Sequence, residues 1–127
     1  MAELKVTFIG HASFRFESEQ SVTYFDAWLD GNPTTRSTLA EVSRADLVIA
    51  THGHSDHIGD SYGLAKQTGA TFVGNFELCL VAAEHGLHLG EDALHFLEMA
   101  LRSEEVALRV KAQEVINSIL PKKIGEK

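Results

Sequence analysis

The sequence predicts an α/β protein: a β-meander, then strand–helix units, then a helical tail. Three observations carry this. Short runs rich in β-branched and aromatic residues recur early, at 4–9 (LKVTFI), 12–17 (ASFRFE) and 21–26 (SVTYFD). Compact apolar strands at 46–51 (DLVIAT) and 70–73 (ATFV) then alternate with helical stretches, a spacing that favours parallel neighbours. Finally, nine of the ten glycines fall at or before Gly90, while residues 91–120 contain neither glycine nor proline. That contrast divides the chain into residues 1–90, with short elements joined by turns, and a helical tail at 91–127.

Within the first part, Phe14 and Phe16 share one face of their strand, and a turn near Ser18–Gln20 leads to the third. Gly31-Asn32-Pro33 marks a loop. Thr38 and Glu41 have capping-box spacing and predict a short helix before Ala45. Asp60 is placed to cap a helix over about 61–68, stopped by Gly69, and a further helix over 76–85 ends at Gly86. In the tail, Leu94, Leu101, Leu108 and Val115 recur every seven residues, with Leu97 and Ile119 near the same stripe. Ser103-Glu104-Glu105 can cap a second helix, so one long helix and a hairpin both fit. The stripe must pack either on its own domain or on a partner helix.

Composition narrows the function classes. The 127 residues are 44% hydrophobic and 23% charged, as in ordinary globular domains, and no apolar run approaches the roughly 20 residues of a membrane span. The opening MAELKVTFIG alternates like a strand and carries Glu3 and Lys5, so it does not read as a signal peptide. A single cysteine, Cys79, cannot form an internal disulfide and suits a reducing cytoplasm. Eighteen acidic against eleven basic side chains give −7, a field that repels a polyphosphate backbone and disfavours nucleic acid. A bound divalent cation would partly offset that charge.

The chemistry is concentrated in Thr51-His52-Gly53-His54-Ser55-Asp56-His57, an H-x-H-x-D-H loop after an apolar strand. His52 and His54 can converge on one cation, with Asp56 and His57 able to face a second. Imidazole and carboxylate donors suit Zn²⁺, and also Mn or Fe. Gly53 and Gly59 allow tight turns with side chains pointing inward.

This loop resembles the signature of the metallo-β-lactamase-fold hydrolases. Flanking segments are similar to one branch, the metal-dependent hydrolases related to L-ascorbate-6-phosphate lactonase: FIGHASFRFE at 8–17, YFDAWLDGNP at 24–33, ADLVIATHGHSDHIGD at 45–60 and AKQTGATFVGNFEL at 65–78. The resemblance covers about residues 4–85 and implies the N-terminal half of an αββα fold followed by the tail. It implies a metal-dependent, zinc-type hydrolase acting on a small-molecule substrate. His52 and His54 would hold the first of one or two ions, and Asp56 and His57 the second. Asp56 would also orient the attacking water or accept its proton. Members of the resembled family are typically about twice this length or nearly so, and their second half supplies a further histidine for each ion and a bridging aspartate. The recognisable pattern here fades near residue 86. The site is therefore expected to be completed by a second chain, in a homodimer or with a complementary chain; the alternative is a non-catalytic, truncated or recombined module with a weak or vestigial metal site and a helical interaction tail.

Other residues carry weaker readings. His11, in the Gly-His turn, reads first as structural and second as reaching the pocket, since the resemblance places that turn near the metals. Asp26 is expected to hydrogen-bond the motif loop. Asp30 and Asn32 are candidates for lining the entrance, and Trp28 and Cys79 read as packing residues. His85, His88 and His95 read as solvent-facing or helix-end residues rather than substitute ligands. Nothing around Ser13 or Ser55 marks a nucleophile elbow.

Overall fold

The computed structural model describes residues 3–89 and, from the C-terminal part, Arg102, Val106, 109–111, Gln113 and Glu114. The expected tail stripe and His95 lie outside the described residues. Among the described residues six strands, β1 (Lys5–Gly10), β2 (Ser13–Glu17), β3 (Val22–Phe25), β4 (Leu47–Ile49), β5 (Thr71–Val73) and β6 (His88–Leu89), form one sheet in sequence order. β1, β2 and β3 are the expected antiparallel meander, whereas β3 to β6 run parallel. The two strand–helix units carry α2 (Ser61–Thr68) and α3 (Phe76–Glu84), and a single turn, α1 (Ser55–Ile58), lies inside the motif loop.

The helix ends follow local chemistry. Gly69 takes the left-handed conformation at φ 75° and its N–H returns to Ala65 O, which stops α2 where expected. Asn75 caps α3 by accepting from Leu78 N–H at 3.0 Å. Two expected caps are corrected. Between Thr38 and Ala45 the chain makes only a three-residue 3₁₀ turn, Leu39–Glu41, and Thr38 makes no side-chain cap; Asp30 Oδ1 instead accepts from Leu39 N–H at 2.9 Å. Asp60 sits at the start of α2, but its Oδ2 accepts from the N–H groups of Leu29 and Asp30, both at 2.8 Å. The carboxylate thereby fastens the loop after β3 rather than the helix behind it.

α2 packs on β4 and β5, and α3 on β5 and β6. The row Tyr24, Val48 and Phe72, aligned across β3, β4 and β5, meets Leu64, Ala65, Leu78 and Ala82, all buried. Burying side chains of this size contributes about 1.5–3 kcal/mol each. The opposite sheet face has a different fate. It too is apolar, through Val6, Phe8, Phe14, Phe16, Phe25, Leu47, Ile49 and Val73, yet Val6 and Phe8 are 54% and 63% exposed.

Strand polarity positions the site. β1 and β2 are antiparallel, as are β2 and β3, so β1 runs the same way as β3, β4 and β5. Their C-terminal ends share one edge of the sheet, the usual place for ligands in α/β sheets. There the chain presents His11 after β1, Asp26 after β3 and the motif loop after β4.

Candidate metal centre

Asp26 organises this edge. It is buried, with the left-handed φ of 47° that short polar residues tolerate, and its N–H donates to Ile49 O at 2.8 Å. Its carboxylate then accepts three hydrogen bonds: Thr51 N–H to Oδ1 at 2.7 Å, Thr51 Oγ1–H to Oδ2 at 2.7 Å, and His57 Nδ1–H to Oδ2 at 2.9 Å. A carboxylate can only accept, so His57 carries its proton on Nδ1 and turns the Nε2 lone pair outward. Thr51 has one hydroxyl proton, spent on Asp26. At 2.8 Å from His52 Nδ1 it must therefore accept, which fixes His52 in the same tautomer. The expected support of the loop by Asp26 is present, and it extends to two histidines through Thr51, which the sequence reading passed over.

The four motif residues come together in space. The rings of His52 and His54 lie 4.7 Å apart between centroids, and those of His52 and His57 4.1 Å. His54 precedes α1, whose first turn carries Asp56 and His57; His57 N–H donates to His54 O at 2.9 Å. Gly59 ends that turn at φ 41°, pressed against Ala27 and Trp28, so the loop can close only on glycine.

His11 also belongs to the cluster. Its Nε2 lies 3.0 Å from Asp56 Oδ2, and His57 Nε2 lies 3.9 Å from Asp56 Oδ1. One donor atom from each of His11, Asp56 and His57 falls within 4.8 Å of the others. Partial desolvation acts to raise the Asp56 carboxyl, but its own backbone N–H and the His57 and His11 rings outweigh it and hold it below the ordinary range. Oriented imidazole lone pairs beside a carboxylate are the donor chemistry a divalent borderline metal takes.

The remaining candidates are accounted for structurally. Asn32 is buried and does not line an entrance: its amide donates to the carbonyls of Gly10 and Trp28. Asp30 is exposed and occupied by Leu39 N–H. Ser13 is buried, donating to Asp26 O and accepting from Trp28 N–H, an arrangement for holding the loop rather than for attack. Trp28 is half-buried, with the His11 ring edge-on at 5.5 Å. Cys79 is buried in the core. His85 is exposed at the end of α3. His88 is solvent-facing, as expected, and opens β6 opposite Thr71, at the sheet edge away from the motif.

A sheet ending in a cluster of metal-type donors at the strand C-termini defines a class, and sequence comparison agrees with it. Residues 5–95 match the Beta-lactamase superfamily domain, and the chain belongs to that family. Among similar proteins, a UPF0173 metal-dependent hydrolase of Carboxydothermus hydrogenoformans is 40% identical over 92 residues, covering 68% of this chain and 40% of the relative. One of Methylocella silvestris is 45% identical over 78 residues, covering 61% of this chain and 34% of the relative. Igni18, described as a novel metallo hydrolase from the hyperthermophilic archaeon Ignicoccus hospitalis, is a structural neighbour with a TM-score of 0.62 and 32% identity, covering 68% of this chain and 38% of its own. The chain spans about two fifths of the length of these relatives.

Proposed function

We propose that the chain carries the metal-binding half of a metal-dependent hydrolase, with His52 and His54 toward one ion and Asp56 and His57 toward another. The observation that carries this reading is the single buried carboxylate of Asp26, which turns the Nε2 lone pairs of His57 and, through Thr51, of His52 outward. Zinc is the ion this donor set favours, with manganese or iron compatible. When bound, the metal supplies Lewis acidity, lowering the pKa of water toward neutrality. Asp56, half-exposed and with its carboxyl held below the ordinary range, would orient that water by accepting a hydrogen bond from it. The substrate would be a small molecule with an ester, lactone, amide or phosphodiester bond. No helix among the described residues is long and apolar enough to cross a membrane, and a lone reduced cysteine supports a cytoplasmic setting.

A second copy of the chain is proposed to complete the part of the site around His52 and His54. The exposure of Val6 and Phe8 on the apolar sheet face supports this, since nothing among the described residues covers them. The test is metal content per chain on protein sized by light scattering, with His54→Ala alongside. One or two zinc equivalents in a dimer, reduced in the variant, support the reading. Less than about a tenth of an equivalent would overturn it. Chromogenic ester, lactone and phosphodiester substrates on the zinc-loaded protein then test hydrolysis.

A further inference from the structure

We propose that His11 is a metal ligand, and that His11, Asp56 and His57 form a three-ligand site that one chain completes alone. The inference rests on the reading that the motif loop binds metal, and adds to it a residue from a strand end more than forty positions earlier. An ion with ligands at about 2.0–2.2 Å keeps adjacent donor atoms roughly 3.0–3.5 Å apart. His11 Nε2 and Asp56 Oδ2 are separated by 3.0 Å, and His57 Nε2 and Asp56 Oδ1 by 3.9 Å. With one donor atom from each residue, all three lie within 4.8 Å of one another, so a bound ion would draw them together to the spacing of a coordination shell.

Contacts inside and outside the triad hold the three donors, and His11 and Asp56 face each other directly. Asp26 holds His57 through Nδ1 and leaves Nε2 for the site. Asp56 stands on the first turn of α1 with one oxygen toward each histidine. His11 adopts φ 57° after Gly10 at φ 144°, and its ring meets Trp28 and His57 edge-on at 5.5 and 5.3 Å between centroids. Three protein ligands with the remaining side open is the arrangement of a catalytic zinc, where water or substrate takes the last position. His11 and Asp56 side chains are each 42% exposed, so that side is open to solvent.

Zn²⁺ and Co²⁺ titrations of four folded proteins test this: the unaltered chain, His52→Ala/His54→Ala, that pair with His11→Gln, and His11→Gln alone. The paired variant should still bind one ion per chain, with the visible absorption of a nitrogen- and oxygen-ligated Co²⁺. Adding His11→Gln should weaken that ion by more than the roughly 10–100-fold that loss of an outer hydrogen-bond partner costs. The glutamine amide can still donate a hydrogen bond to Asp56, so full affinity after His11→Gln would overturn the proposal and leave His11 as a positioning residue. Metal bound by the unaltered chain but not by the His52/His54 variant would overturn it while the proposed function stands. No metal on any of the four would overturn both. Far-UV circular dichroism checks folding, and Co²⁺-shifted ring proton signals of His11 in the paired variant give a readout independent of the glutamine substitution.

Discussion

His57 Nδ1 donates to Asp26 Oδ2 at 2.9 Å, joining the end of β3 to the first turn after the motif strand. The same oxygen accepts from Thr51, so one buried carboxylate orients both flanks of the loop. Asp26→Asn puts an amide donor or a single carbonyl where three donors converge. The variant should lose about 1–3 kcal/mol of stability and bind zinc roughly 10–100-fold more weakly. Chemical denaturation of the metal-free protein and competition against a chelator measure the two effects separately.

Thr51→Val separates orientation from folding. Valine keeps the shape and the backbone N–H to Asp26 but removes the hydroxyl that links Asp26 to His52. Asp26 keeps His57, so stability should fall by only about 1 kcal/mol. His52 loses its Nδ1 partner, and zinc affinity should drop about tenfold. Ring ¹⁵N shifts of His52 in the metal-free protein should change from a single Nδ1–H form to a mixture. An unchanged spectrum would contradict the assigned tautomer.

Two glycines with the same sign of φ should respond differently to alanine. A Cβ on Gly59 would lie 2.6 Å from Ala27 O and 2.6 Å from Trp28 Cα, whereas nothing lies within 4 Å of one on Gly69. Gly69→Ala should cost only the left-handed backbone penalty, about 1–2 kcal/mol. Gly59→Ala carries that penalty plus a backbone clash and should cost more, with loss of metal binding as the loop is displaced. Thermal melts with and without zinc distinguish them: only Gly69→Ala should retain a zinc-induced rise in Tm.

Cys79 and Tyr62 define the alkaline limit. Burial pushes both the Cys79 thiol and the Tyr62 phenol above their ordinary values. A group raised in the folded state contributes its stability below its unfolded pKa and loses it as pH climbs through the folded value. Stability should therefore decline from about pH 9 upward, and Cys79→Ser should flatten the first part of the decline. At pH 8, a thiol reagent should modify Cys79 only at the rate of opening, many times slower than in denaturant.

Alternating runs and strand–helix spacing made the sheet legible because each depends on residues close in sequence. Gly69 and Gly86 marked helix ends for the same reason, and both have positive φ in the structure. The capping signals at Thr38 and Asp60 misled because partners distant in sequence intervened: Asp30 accepts from Leu39 N–H in place of a Thr38 cap, and Asp60 accepts from the Leu29 and Asp30 N–H groups. Strand β6 was hidden by its length of two residues. At the site, the closeness of the four motif residues was legible from their spacing. Thr51 was not, since its role arises only when Asp26 arrives from β3. His11 was visible as a candidate, but its nearness to Asp56 depends on β1 and β3 pointing the same way across β2.

The pairing of β3 with β4 is pinned at both ends. Val22 and Asp46 exchange bonds at one end, and Asp26 N–H meets Ile49 O at the other. A slip of one residue would carry Asp26 about 3.3 Å along the strand and turn its side chain to the opposite face. Thr51 and His57 would then lose their common acceptor while most backbone bonds could re-form one step away. Tight metal uptake is thus a proofreading signal: it reports that the sheet has closed in the native alignment, and a misaligned sheet with the same secondary-structure content would fail to give it.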